Sequence, residues 1–264
     1  MTAAVALLRR RRRRVPPVVV GAIAGAWVLV IAAQATGTGA SLHHDALIHG
    51  SLPFGAALAL FLLAWQAMIA AMMLPTTLPL MRLFAVASRV APRPRAVMAA
   101  FIAGYAVVWT AFGWLAFCGD AVVHSVVDSS GWLQRHQWLI AGGVLLAAGA
   151  FQFSSLKDRC LKVCRHPGAF MLRFYQRGTR GGFRLGLRHG LFCLGCCWAL
   201  MLLMFAAGVA SLWWMGALTA LMVYEKTGVA GSRAVPVAGA VLLAWGTLVV
   251  AHPAWLPTVL AGSL

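Results

Sequence analysis

Residues 190–204 read Gly-Leu-Phe-Cys-Leu-Gly-Cys-Cys-Trp-Ala-Leu-Met-Leu-Leu-Met, inside an apolar run long enough to cross a bilayer as a helix. The thiols of Cys193, Cys196 and Cys197 stand at offsets of 0, 3 and 4 residues, which share one helix face. Met201 and Met204 fall within roughly 80° of Cys193 at about 100° per residue. Because soft sulfur ligands favour Cu(I) or Zn(II), this stripe predicts a soft-metal site in a transmembrane helix.

The composition is that of a membrane protein built from helices. Hydrophobic residues make up 62% of the chain and charged residues 10%, whereas soluble domains carry about 25% charge. Apolar runs of near-spanning length lie at 16–35, 52–74, 96–118, 138–156, 190–210, 212–230 and 234–251. A helical crossing requires roughly 20 residues, so we predict an all-α, polytopic transmembrane helix bundle with about seven crossings.

The distribution of Lys and Arg predicts the orientation of this bundle. Residues 9–14 are all arginine, directly before the first apolar run, and the connections 75–95 and 157–188 are rich in arginine and lysine. By the positive-inside rule, the N-terminus and both connections are cytoplasmic. We therefore expect a basic cytoplasmic segment at 1–14 and one transmembrane domain at 15–264 with a cytoplasmic loop at 157–188, located in the bacterial inner membrane.

The first apolar run has a second interpretation, because Ala33-Gln34-Ala35 resembles a signal-peptide cleavage site. The apolar core from Val15 to about Ala33 is longer than the 7–15 residues of a typical signal peptide, so we favour a retained helix.

Further candidate ligands belong to three other segments. They are Cys160 and Cys164 beyond the fourth run, Met68, Met72 and Met73 in the second, and Glu225 in the sixth. On the predicted topology, all of them lie near the inner ends of their helices, as do Cys193, Cys196 and Cys197 in the first turns of the fifth. We expect the two cysteine sets to converge, because a short connection returns the fifth helix beside the fourth.

Each candidate also has a plainer explanation. The three thiols of the stripe could serve close helix packing, the spacing of Cys160 and Cys164 could be chance, and methionine commonly fills gaps in a core. Glu225 could form an interfacial ion pair with its neighbour Lys226.

Outside the membrane, Asp45 with His43, His44 and His49 could capture a metal, or histidine could simply replace Lys and Arg in a periplasmic loop. Clustered thiols on the cytoplasmic side indicate metal or redox chemistry, because that compartment keeps cysteines reduced. Cys118 has no evident partner.

Several pieces of the chain resemble a bacterial family of predicted metal-binding integral membrane proteins that is otherwise functionally uncharacterised. The pieces are Met68–Pro75, Gly104-Tyr105 with Trp109, Gln152–Arg165, Gly190–Met201 and Glu225-Lys226. The resemblance covers most of the chain but not its arginine-rich start, and it implies metal binding without a mechanism.

These observations predict a membrane protein that binds a soft metal, Cu(I) first and Zn(II) second, in the cytoplasmic half of the bilayer, for metal transport or handling. Its partners would be the lipid bilayer, the metal ion and a metal-carrier protein of the periplasm or cytoplasm. The net charge of +17 is explained by topology rather than by nucleic acid. No hydrolytic constellation can be assembled, so we favour a role other than catalysis. A membrane thiol–disulfide redox protein and an assembly helper for a metalloenzyme complex remain alternatives, which metal analysis of the purified protein would separate.

Overall fold

The computed structural model describes residues 16–38, 47, 50–206 and 212–252, and these residues form helices without a β-strand. The helices are α1 (Pro17–Ala35), α2 (Phe54–Ala87), α3 (Pro94–Ser129), α4 (Gly131–Arg135), α5 (Trp138–Gln152), α6 (Ser155–Arg165), α7 (Pro167–Phe174), α8 (Gly178–Ala206), α9 (Leu212–Thr227) and α10 (Gly231–Ala251). The arginine run at 9–14 and the residues His43, His44, Asp45 and His49 lie outside the described part of the chain.

Five of the described helices, α1, α2, α3, α8 and α10, are long and apolar enough to cross a membrane. A sixth crossing results if α5 and α6 count as one span, since the two helices are bent by 62° at a short break. The helix α9, with 16 residues, is shorter than the roughly 20 residues of a full crossing. The all-helical fold is thus observed, whereas seven crossings and a cytoplasmic N-terminus stay predictions.

The helix α2 continues well past the point at which we expected a loop to begin. It includes Pro75 and Pro79 and ends at Ala87, so the expectation of a connection starting at residue 75 is wrong. Pro75 has no N–H for the Ala71 carbonyl, and the indole N–H of Trp27 in α1 donates to that oxygen instead at 3.1 Å. Because a side chain from a neighbouring helix satisfies the carbonyl, the helix tolerates the proline.

The segment 157–188 is mostly helical rather than an irregular loop. It contains the rest of α6, all of α7 and the start of α8, which begins at Gly178 with a left-handed φ of 80°. Gly178 precedes Cys193 by about four helical turns. The expectation that the thiols lie in the first turns of their helix is therefore wrong, because the basic and polar start of α8 is helical too. The thiols occupy the middle of a 29-residue helix.

Glycines bring the long helices into backbone contact. A methyl group on Gly104 of α3 would overlap the carbonyl oxygen of Phe183 in α8, and one on Gly186 of α8 would overlap that of Phe101 in α3. A similar contact joins α5 to α10, where a Cβ on Gly149 would lie 2.8 Å from the Leu243 nitrogen. Small residues at helix interfaces allow this close approach. As a result, α8 packs closely against α3, and α5 packs closely against α10.

Candidate metal centre

The three thiols of α8 point into the interior of the bundle. Cys193, Cys196 and Cys197 are each at most 1% exposed. The thiols of Cys196 and Cys197 donate to the carbonyl oxygen of Cys193, with sulfur–oxygen distances of 3.1 and 2.8 Å. The side chain of Cys193 also lies close to both of these thiols. The stripe predicted from the sequence thus forms one group of buried sulfur atoms.

The helix α6 adds its two cysteines to this group. The thiol of Cys164 lies close to that of Cys196. Cys160 lies against α8 at Gly195, where an added Cβ would lie 2.6 Å from the Cys160 sulfur. The expected convergence of the two cysteine sets is confirmed, and the absence of a side chain at Gly195 makes room for it.

One methionine of α2 completes what we call the sulfur cluster, defined as Cys164, Cys193, Cys196, Cys197 and Met73. The Met73 sulfur lies 3.8 Å from the Cys197 sulfur. The remaining methionines proposed as ligands are fully buried in the surrounding core, and they are Met68, Met72, Met201 and Met204. Since successive residues of a helix point about 100° apart, only one of the adjacent pair in α2 faces the thiols.

Three residues around Cys193 were not among the predicted ligands. The ammonium group of Lys226 in α9 donates to the Cys193 sulfur and to the Thr76 hydroxyl, both at 3.1 Å. The Tyr105 hydroxyl of α3 lies 3.1 Å from the same sulfur. Lys226 and Tyr105 could have been selected from the sequence, because both stand in apolar segments, where polar groups need a partner.

Glu225 faces a different neighbour from the one we considered. Its carboxylate accepts a hydrogen bond from Lys157 of α6 at 2.7 Å, and the two side chains are 2% and 0% exposed. The alternative of an ion pair between Glu225 and Lys226 is wrong, because adjacent residues of α9 point in different directions. Arg165 donates to the carbonyl oxygens of Glu225 and Gly228. Glu225 thus connects α9 to α6 beside the sulfur cluster.

His189 is a further buried polar residue that the sequence analysis did not select. It precedes Cys193 by one turn of α8 and is 5% exposed. Its ring stacks on Tyr105 and Phe101 at centroid distances of 5.9 and 6.2 Å. Within the described residues its Nε2 atom has no hydrogen-bond partner.

The cluster is formed by contacts between neighbouring thiols rather than by a closed coordination shell. Among the described residues, no three or more Cys, His, Asp or Glu side chains are arranged as metal ligands. All six cysteines are free thiols. Cys118, in α3, is partly exposed. A two-coordinate soft ion needs less rearrangement of these thiols than an ion that requires four ligands.

The geometry can be compared with known proteins. A family model described as a copper chaperone, PpoB2, matches residues 62–249. The chain belongs to this copper chaperone family. The match contains the whole sulfur cluster together with Lys226, Glu225 and Lys157, and it excludes α1. No curated protein matches the chain, and no solved structure does either. Membership supports copper handling by this chain, in agreement with the metal favoured from the sequence.

Proposed function

We propose that this chain is a membrane-integrated copper chaperone that holds Cu(I) through thiols of its sulfur cluster. One observation carries the proposal: free thiols from α6 and α8 and a thioether from α2 meet in a buried place within the copper-chaperone match. Thiolate and thioether sulfur are the donors that Cu(I) prefers.

Copper(I) fits the cluster better than zinc. Structural zinc is almost always bound by four ligands. In the described residues, no group of even three Cys, His, Asp or Glu side chains is arranged to hold a metal ion. Neighbouring thiols, by contrast, can hold a monovalent soft ion between two sulfur atoms. We therefore keep Cu(I) as the first candidate and Zn(II) as the second.

The membrane location and the cytoplasmic side belong to the same proposal. The lengths and apolar composition of α1, α2, α3, α8 and α10 support integration into the bilayer. The Tyr175 hydroxyl, just after α7, donates to the carbonyl oxygen of Ala87 at the end of α2, at 3.1 Å. This contact supports one common side for the basic connections that follow α2 and α6, which we propose to be the cytoplasm.

The test is a Cu(I) titration of the detergent-purified, reduced protein against a chromogenic Cu(I) chelator. We expect Cys193→Ser, Cys196→Ser and Cys197→Ser each to lower the affinity at least tenfold, because loss of an outer partner alone costs 10–100-fold. Cys118→Ser, in α3, is the matched control and should leave the affinity unchanged. Equal affinities of the triple serine variant and the parent would rule out this site.

A second candidate function rests on the contact between Cys164 and Cys196. Two neighbouring thiols could be oxidised to a disulfide, with two electrons and two protons passing to a membrane quinone, and that disulfide could then exchange with the dithiol of another protein. The two functions differ in what the reduced protein binds. Stoichiometric Cu(I) binding without disulfide formation supports the chaperone. A Cys164–Cys196 disulfide that a quinone forms and an added dithiol reduces in turnover, without bound copper, supports the redox protein.

A further inference from the structure

Lys226 is a buried lysine that forms no ion pair with any carboxylate in the described part of the chain. The residue is 6% exposed, and among the described residues none of the ion pairs includes it. The only carboxylate next to it in sequence, that of Glu225, is bound to Lys157. The contacts of the Lys226 ammonium are instead a sulfur atom and a hydroxyl group.

An ammonium group in an apolar interior is costly unless an opposite charge lies beside it. The hydroxyl of Thr76 is neutral, so it satisfies one hydrogen bond but no charge. Cys193 is the contacting group that can become negative, and its sulfur already accepts a hydrogen bond from Lys226 at 3.1 Å. The position of Lys226 is therefore explained by the negative charge that the sulfur cluster acquires when its thiols bind a metal ion.

From this arrangement we infer that Lys226 is the fixed counter-charge of the sulfur cluster and selects a monovalent ion held by two thiolates. This inference rests on the proposed function and specifies which ion the site accepts. Binding follows 2 RSH + Cu⁺ → [Cu(SR)₂]⁻ + 2 H⁺, in which two S–H bonds break, two Cu–S bonds form and both protons leave to solvent. No electron is transferred. The ammonium of Lys226 neutralises the anionic complex.

The same charge disfavours a divalent ion. A divalent ion with two thiolates is neutral, and Lys226 would then leave one uncompensated positive charge in the apolar interior. A third thiolate would restore neutrality, but the described residues hold no three-ligand arrangement of this kind. The charge of Lys226 and the pairing of the thiols thus both favour a monovalent ion over a divalent one.

The neighbouring residues hold the ammonium in this position. Thr76 accepts the hydrogen bond from Lys226 and donates its own hydroxyl proton to the Met73 carbonyl oxygen at 2.8 Å. Met73 is itself a member of the sulfur cluster. The Thr76 hydroxyl therefore connects the Lys226 ammonium to the segment of α2 that contains Met73. This connection keeps the ammonium at a fixed distance from that segment.

The experiment measures Cu(I) and Zn(II) affinities of the full-length, reduced protein in detergent, and compares their ratio among variants. Lys226→Gln removes the charge but keeps a hydrogen-bonding side chain, and Lys226→Arg keeps the charge. We expect Lys226→Gln to lower Cu(I) affinity about 10–100-fold, the usual effect of losing an outer partner. Zn(II) affinity should stay the same or rise, because the charge that disfavours a divalent ion is gone, so that the Cu(I)/Zn(II) ratio falls at least tenfold. Lys226→Arg should lower the ratio far less than Lys226→Gln, because it keeps the positive charge.

A merely structural role for Lys226 would lower both affinities alike and leave the ratio unchanged, which would overturn the inference. A fall of the ratio in Lys226→Arg equal to that in Lys226→Gln would also overturn it. If Lys226→Gln does not fold, Lys226→Met takes its place, because it also removes the charge and keeps an unbranched side chain; an unchanged ratio there refutes the inference. Failure of the proposed function is distinguishable, since the Cys193, Cys196 and Cys197 variants would then bind Cu(I) like the parent.

Discussion

Replacing Glu225 by Gln should strongly destabilise the protein, because it leaves a buried lysine without its counter-ion. The Lys157 ammonium is fully buried and lies 2.7 Å from the Glu225 carboxylate. Removing one member of a buried pair costs about 3–5 kcal/mol, most of which is the penalty for the uncompensated charge. For a protein of this size, such a loss corresponds to a decrease in Tm of roughly 6–20 °C.

A second ion pair of the same length serves as the control, because its side chains are exposed rather than buried. Lys162 and Asp158, also in α6, form an ion pair at 2.7 Å, but their side chains are 69% and 59% exposed. Exposed pairs contribute about 0–1 kcal/mol. Asp158→Asn should therefore lower the Tm by no more than a few degrees, although the two pairs have equal lengths.

The assay is thermal unfolding of the detergent-purified protein, followed with a thiol-reactive dye that reports exposure of the buried cysteines. Glu225→Gln, Asp158→Asn and the double variant Lys157→Met/Glu225→Gln are measured together. The double variant removes both charges and should recover much of the lost stability. Equal decreases in Tm for Glu225→Gln and Asp158→Asn would refute the reasoning, because burial would then have no effect on the strength of the pair.

Three further outcomes are expected. Gly186→Ala should lower the Tm, since overpacking costs about 1–3 kcal/mol. The control Gly143→Ala should not lower it, because the space around Gly143 is open. Similar effects of the two variants would contradict the close contact of α8 with α3. Trp27→Phe removes the donor of the Ala71 carbonyl and should cost about 1–3 kcal/mol; an unchanged Tm would mean that another group satisfies this oxygen. Cysteine labelling in intact cells should find 157–188 on the cytoplasmic side, and periplasmic labelling would overturn the proposed topology.

The stripe of thiols could be predicted from the sequence because helical spacing alone determines it. Residues at offsets of 0, 3 and 4 share a face in any α-helix, whatever its neighbours. The contact of α6 with α8 also followed from the sequence, since a short connection leaves the two helices adjacent. The family match to copper chaperones then agreed with the metal that soft sulfur ligands indicate.

The ends of the helices and the directions of the charged side chains could not be predicted in the same way. Hydropathy marks only the apolar part of a helix, so the polar start of α8 and the continuation of α2 past Pro75 were missed. The continuation depends on Trp27, a distant residue that satisfies the freed carbonyl. The partners of Glu225 and Lys226 likewise depend on which helix each side chain meets, and this is a property of the tertiary structure.

The opposite charges of Glu225 and Lys226 act on two different neighbours of α9. Glu225 binds Lys157 of α6, the helix that carries Cys164, while Lys226 binds Cys193 of α8. The helix α9 therefore sets the distance between the two cysteine-bearing helices, although it contributes no thiol itself. Loss of the pair between Glu225 and Lys157 should then weaken Cu(I) binding as well as stability, because α6 loses one of its contacts with α9, beside those of Arg165, while Lys226 still holds α8.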